Sequence, residues 1–336
     1  MAQKVYLCLL VVFLGVCINS ALSQEQQIPA ASIPPTQVTA YSANRTNRLF
    51  HNLFHNVRMN WVLLDEIEQR ELANLGWKPA YVSFTYINGD INQPIMLMGP
   101  TGEDFLWMHN QMINEVNSIA AGITPAVAWR VDGWYDCPPP GDSEWPVPPI
   151  PTSIVNDLPG YADYLRPFKS DEFYYEQILP REQQMNNSAY LKSLTLGEFG
   201  TLIEYELHTF FHVRFSAYNP VGYRLQSLHP TVHIDTMWDN VEYDYLADFY
   251  SAHVNPTFWK IHGWIERKMV QWATENGYTY TLFGASSNLP WTSTWEMGPM
   301  DPAILAELEA VGARAVARGG KVDGKKNGNL LYLFDY

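Results

Sequence analysis

The sequence predicts a mainly α-helical fold, an antiparallel four-helix bundle with long loops and a few short strands, built around paired histidines. Three observations predict it. His208 and His212 stand four apart in E-L-H-T-F-F-H, an apolar segment with no internal Pro or Gly. Four residues is about one helical turn, so both imidazoles fall on one face of a helix. His262 lies in a second segment with strong boundary signals: Asn255 suited to the N-cap, Pro256 to the first turn, and Gly277 to the stop. The same arrangement occurs earlier, where R-L-F-H-N-L-F-H places His51 four before His55 and E-D-F-L-W-M-H-N-Q-M supplies His109.

Six of the nine histidines thus fall into two copies of H-x-x-x-H followed by a third histidine. A single H-x-x-x-H is as well explained by packing, but a repeated pattern of this kind points to metal ligation. Three neutral imidazoles from two helices form a nitrogen-only site, which suits copper or zinc and disfavours magnesium or calcium. Asn52 and Thr209 follow the first histidines of the pairs, so the general-base Glu of an H-E-x-x-H zinc peptidase is missing. The Glu ligands and Glu-x-x-His of a di-iron bundle are also missing from the predicted faces.

These segments resemble the type-3 copper proteins, the family of tyrosinases, catechol oxidases, phenoloxidases and hemocyanins. N-P-T-F-W-K-I-H-G-W-I-E-R is similar to their D-P-x-F-x-x-x-H-x-x-x-D segment, and L-H-T-F-F-H-V to L-H-N-x-x-H-V. F-L-W-M-H-N-Q-M resembles the F-x-Y-M-H-Q-Q segment of the arthropod branch. The resemblance implies two copper ions, one on His51, His55 and His109 and the other on His208, His212 and His262, with dioxygen as co-substrate. It implies a small phenolic or tyrosyl substrate and oxidation of o-diphenols to o-quinones. A hemocyanin-like oxygen-binding protein and a matrix protein with structural copper are the alternatives. Glu198 lies where tyrosinases carry a water-orienting Glu, although capping of the third helix explains it equally well. Thr209 replaces the Asn that often follows the first histidine of the second site. An amide hydrogen-bond pattern is lost with it, so catechol oxidation is expected and monophenol hydroxylation is in question. His253 is expected to line the pocket or support a ligand, and Phe258 and Trp259 to be core. Glu266 and Arg267 are expected as an exposed or capping pair.

In chain order, residues 1–23 read as a secretory signal peptide, with Lys4 before an apolar run and Ala21-Leu22-Ser23 at the cleavage site. Residues 24–40 are polar and Pro-containing and are expected to form an extended arm, leaving 41–336 as a single domain. Asn44-Arg45-Thr46 and Asn186-Asn187-Ser188 are glycosylation sequons. The first helix is expected from about residue 44 toward Gly76 with a break, and the second from Thr101 and Asp104 to Gly122. Residues 81–86 alternate like a strand. The Pro-rich stretch 131–160 is expected to be a long ordered loop, because helices of one site flank it. The third helix opens on the capping box Thr195 and Glu198 and stops before Asn219-Pro220. His229 and His233 flank Pro230 and are read as loop residues. Residues 278–283 read as a strand and 301–319 as a last amphipathic helix. A basic turn at 321–326 and an apolar tail at 330–336 follow.

The formal net charge is −14, and loss of Lys4 with the leader makes it more negative. Such a chain is a poor candidate for binding nucleic acid or anionic membranes. Cys8 and Cys17 leave with the leader, so Cys137 remains as a lone thiol with no intrachain disulfide to join.

Overall fold

The computed structural model of the protein describes residues 29–61, 65–78, 99–150, 159–216, 246–282 and 287–295, with the single helical position 310. The leader, the strand expected at 81–86, His229 and His233, the last helix expected over 301–319 (apart from position 310), and the turn and tail after it lie outside these residues. The described chain is mainly helical, and its one β interaction is an isolated antiparallel bridge between Tyr280 and Ser287. The strand expected over 278–283 is therefore not formed. Among the described residues no helix is long and apolar enough to cross a membrane.

The described part of the arm expected to be extended, from residue 29 on, is largely helical instead. A 3-10 turn at Ala30–Ser32 leads to α1 (Thr36–Ser42), which starts after Pro35 and buries Val38 completely in the core. One well-placed apolar side chain outweighs the polar composition that suggested an arm. α2 (Arg45–Asn60) is capped by the Asn44 side chain, which accepts from the Thr46 amide at 2.9 Å. The expected break follows it, because α3 (Glu66–Asn74) begins on its own capping box of Asp65 and Glu68. Gly76, at φ +87°, ends that helix. α4 (Gly99–Ala121) begins two residues before Thr101. The expected cap does not form, since Asp104 instead accepts from Lys78 and Ser293.

Several helices between the two halves carry no strong sequence signal. α5 (Pro159–Lys169) is followed by α6 (Asp171–Phe173), a π turn (Tyr174–Ile178), α7 (Leu179–Met185) and α8 (Ser188–Lys192). α9 (Leu196–Leu202) opens on the expected box: Thr195 Oγ1 accepts from the Glu198 amide, and Glu198 accepts from the Thr195 amide at 2.8 Å. It runs through a second π turn (Ile203–His208) into α10 (Thr209–Phe215). A 3-10 turn at Ala252–Val254 precedes α11 (Pro256–Glu275), where Asn255, Pro256 and Gly277 take the expected cap and stop positions.

Glycines decide how closely these elements approach. A Cβ on Gly102 of α4 would overlap the backbone of Gly197, Gly200 and Thr201 in α9, and one on Gly200 would overlap Gly102. The two helices therefore cross backbone to backbone. Gly263 of α11 meets Gly133 of the loop in the same way. That loop is ordered against α11, as expected: the Trp134 amide donates to the Lys260 carbonyl at 3.3 Å, and Arg267 pairs with Asp132 at 2.6 Å. Buried Glu182 of α7 accepts from the Cys137 amide at 2.8 Å and from Trp264 Nε1 at 3.0 Å. Cys137 is buried. Glu266 is also buried, accepting from Asn110 and Tyr280, so it forms no exposed pair with Arg267.

Because backbone leaves a new methyl nowhere to go, Gly200→Ala and Gly263→Ala should each destabilise the fold by about 3 kcal/mol or more. Gly122→Ala, whose Cβ meets only ordinary contacts at 3.5 Å, should change stability by less than about 1 kcal/mol. Denaturant midpoints of the three variants check this ranking.

Candidate metal centre

All six histidines of the two sequence copies are buried, none more than 2% exposed. They come together. The His109 and His262 rings stack at 4.8 Å and 15°, His208 and His212 lie 4.5 Å apart, and His55 and His208 stack at 5.8 Å. Two triads have ligand atoms all within 4.8 Å of one another: His208, His212 and His262, and His51, His109 and His262. The first is the set expected from the sequence. In the second, His262 stands where His55 was expected, and His55 joins through His51, Nε2 to Nε2, at 3.1 Å.

Local structure fixes how each ring faces. His109 Nδ1 donates to the Phe105 carbonyl at 2.8 Å, and His262 Nδ1 to the Phe258 carbonyl at 2.7 Å. Both bonds reach back four residues along a helix, so F-x-x-x-H is a shared device of the two halves. The phenyl rings of the same pairs pack at 4.2 and 3.8 Å from their histidines. His51 and His212 are held by a different segment, donating from Nδ1 to the Phe249 and Leu246 carbonyls at 2.9 and 2.8 Å. His208 Nδ1 faces the Glu204 carbonyl at 3.4 Å inside the π turn. π turns of this kind recur at functional positions.

A carbonyl only accepts, so each of these five rings carries its proton on Nδ1 and keeps its lone pair on Nε2. The Nε2 atoms of His109, His208, His212 and His262 are buried without a hydrogen-bond partner among the described residues. An unsatisfied buried polar group costs about 1–3 kcal/mol, and four of them close together demand a shared partner. A metal ion is such a partner, and the donor set fits a nitrogen-binding one. His51 and His55 fit as well, since nitrogens 3.1 Å apart can share an ion at bond lengths of roughly 2.0–2.1 Å.

His55 alone among the six has a carboxylate at Nδ1, with Glu204 Oε1 3.9 Å away. Glu204 is locked by Arg58, which bonds both carboxylate oxygens at 2.7 and 3.3 Å and the Thr101 carbonyl at 2.9 Å. Burial pushes the Glu204 carboxyl up to about 7 against the pull of Arg58. The sequence reading passed over this residue, whose signal was its place one turn before His208. Glu198 sits elsewhere: its carboxylate closes the capping box, roughly 15 Å along the helix axis from His208 at 1.5 Å per residue. The Thr209 hydroxyl donates to the Glu204 carbonyl at 2.8 Å, so its proton is committed to the backbone. His253, also buried, lies 4.4 Å from the His51 ring; neither of its nitrogens completes a hydrogen bond of ordinary geometry, and the Tyr250 backbone offers it only a marginal contact.

No family model matches the chain, and no curated protein matches it. The site is therefore described by its own geometry.

Burial, the largest effect on every one of these rings, holds the imidazoles neutral: it lowers His51 to about 3 and His212 to about 4. His55, His109, His208, His253 and His262 are likewise well below their ordinary range. In acid the unfolded chain therefore binds more protons than the folded one. Stability from these groups is full above about pH 6.5 and is lost as pH falls toward 3–4, at up to about 1.4 kcal/mol per unit per histidine. Glu182 and Glu204, each pushed up to about 7 by burial, act the other way but are outnumbered by the seven histidines. Metal-free protein should unfold at lower denaturant at pH 5 than at pH 7.5, and added metal should narrow the gap by competing with protons. Circular dichroism melts at the two pH values check both effects.

Proposed function

We propose that the chain is a secreted binuclear copper protein that oxidises o-diphenols to o-quinones with dioxygen. Two buried histidine triads, with the unpartnered Nε2 atoms of His109, His208, His212 and His262 among them, support this reading. In it, α2, α4, the α9–α10 helix and α11 act as an antiparallel four-helix bundle around the centre. His51, His55 and His109 hold one ion, and His208, His212 and His262 the other. An all-imidazole set holds copper more strongly than the other divalent first-row metals. When bound, paired copper ions supply dioxygen activation and the two-electron oxidation of a catechol.

The chain's own contribution is positional. Backbone carbonyls at Phe105, Phe258, Phe249 and Leu246 fix the tautomer and direction of their rings, which raises ligand basicity. The Phe54, Phe105, Phe249 and Phe258 rings pack on the histidines and keep water out. Glu204, paired with Arg58, has Oε1 3.9 Å from the Nδ1 of His55 and would suit the tautomer in which a bound ion, in place of the His51 ring, takes the Nε2 lone pair. Thr209 brings no amide and has its hydroxyl proton engaged, which supports diphenol oxidation over monophenol hydroxylation. Glu198 is kept as a helix cap without a catalytic role.

Oxygen uptake by copper-loaded protein should be rapid with a catechol and slow, after a lag, with the matching monophenol. Thr209→Asn should raise the monophenol rate and leave the catechol rate little changed. Altering groups that only hold ligands costs about 10–100-fold, so His208→Ala should lose at least the upper end of that range. Equal, lag-free rates on both substrates would contradict the role of Thr209. Reversible oxygen uptake without turnover of either substrate would favour an oxygen-binding protein instead.

A further inference from the structure

Six imidazoles are accounted for by the proposed centre, and among the described residues His253 is left over. It sits in the 3-10 turn Ala252–Val254, just after the segment whose carbonyls hold His51 and His212. It is 2% exposed, and its ring stands 4.4 Å from His51 at 65°. That matches His208 and His212, two members of one triad, at 4.5 Å and 68°. Its other ring neighbour is Phe258, at 5.1 Å, which offers no hydrogen-bond acceptor. Among the described residues both nitrogens lack a hydrogen bond of ordinary geometry, a costly state for a buried polar ring.

We propose that His253 is a seventh imidazole of the metal centre, a ligand to the ion on the His51 side. This rests on the reading that the cluster holds copper. The difference between His253 and the other rings is physical. His51, His109, His208, His212 and His262 each have Nδ1 against a backbone carbonyl, so their directions are set. His253 has no such latch, and its nitrogens stand outside both tight triads. Its ring is held by packing between His51 and Phe258, and on the ion its nitrogen would compete with external ligands for the open position.

The test uses full-length protein labelled with ¹⁵N in its histidines and loaded anaerobically with copper(I), which is diamagnetic. Ring-nitrogen resonances are compared before and after loading, with His253 assigned from His253→Phe, or from His253→Gln if that variant does not fold. The expected result is a shift of the His253 signal together with those of the six other cluster histidines. A His253 signal that stays put while the other six move overturns this inference alone. A spectrum in which no cluster histidine responds to copper overturns the copper reading along with it.

Discussion

The structure depends on a division of labour within the buried imidazoles. At His109, His208, His212 and His262 one nitrogen faces a backbone carbonyl, and the other is left in the core with no hydrogen-bond partner among the described residues. Helix geometry supplies the tie at His109 and His262, four residues after Phe105 and Phe258. The short segment before α11 supplies it at His51 and His212. Burying several neutral imidazoles with free lone pairs is unfavourable for folding alone. The surrounding fold spends part of its stability on holding them there, a pattern typical of functional sites.

The rest of the core can be understood as making that arrangement rigid. Gly102 and Gly200 let α4 and α9 touch backbone to backbone, which brings the helix of His109 against the helix that continues to His208. Arg58 ties α2 to the π turn through Glu204 and to α4 through Thr101. That buried ion pair is no simple stabiliser, since desolvation offsets much of its attraction. Its value lies in direction, because it fixes a carboxylate beside His55, the one of the six paired histidines without a carbonyl latch.

Much of this was legible in the sequence because the signals were local. Asn255, Pro256 and Gly277 marked the limits of α11, Thr195 and Glu198 opened α9, and four-residue spacing put each histidine pair on one face. What could not be read depended on distant partners. Arg58 and Glu204 are 146 residues apart, and His51 finds its carbonyl 198 residues away. The helix at Thr36–Ser42 has a polar, Pro-containing composition and is held by distant packing, with Val38 buried in the core. Glu266 was taken for a surface charge because its partners, Asn110 and Tyr280, come from separate parts of the chain. The π turn has no sequence signature, yet it decides where the Thr209 hydroxyl points.

His262 belongs to both triads, but with Nδ1 committed to the Phe258 carbonyl it has one lone pair to give. Among the six paired histidines, only His55 is left to complete the set around His51 and His109. Titration of metal-free protein with copper(I) under anaerobic conditions tests this most directly, with bound metal counted after dialysis. The account predicts two copper ions per chain, falling to one in His55→Ala. A wild-type chain that saturates with a single ion, or retains none, would contradict it.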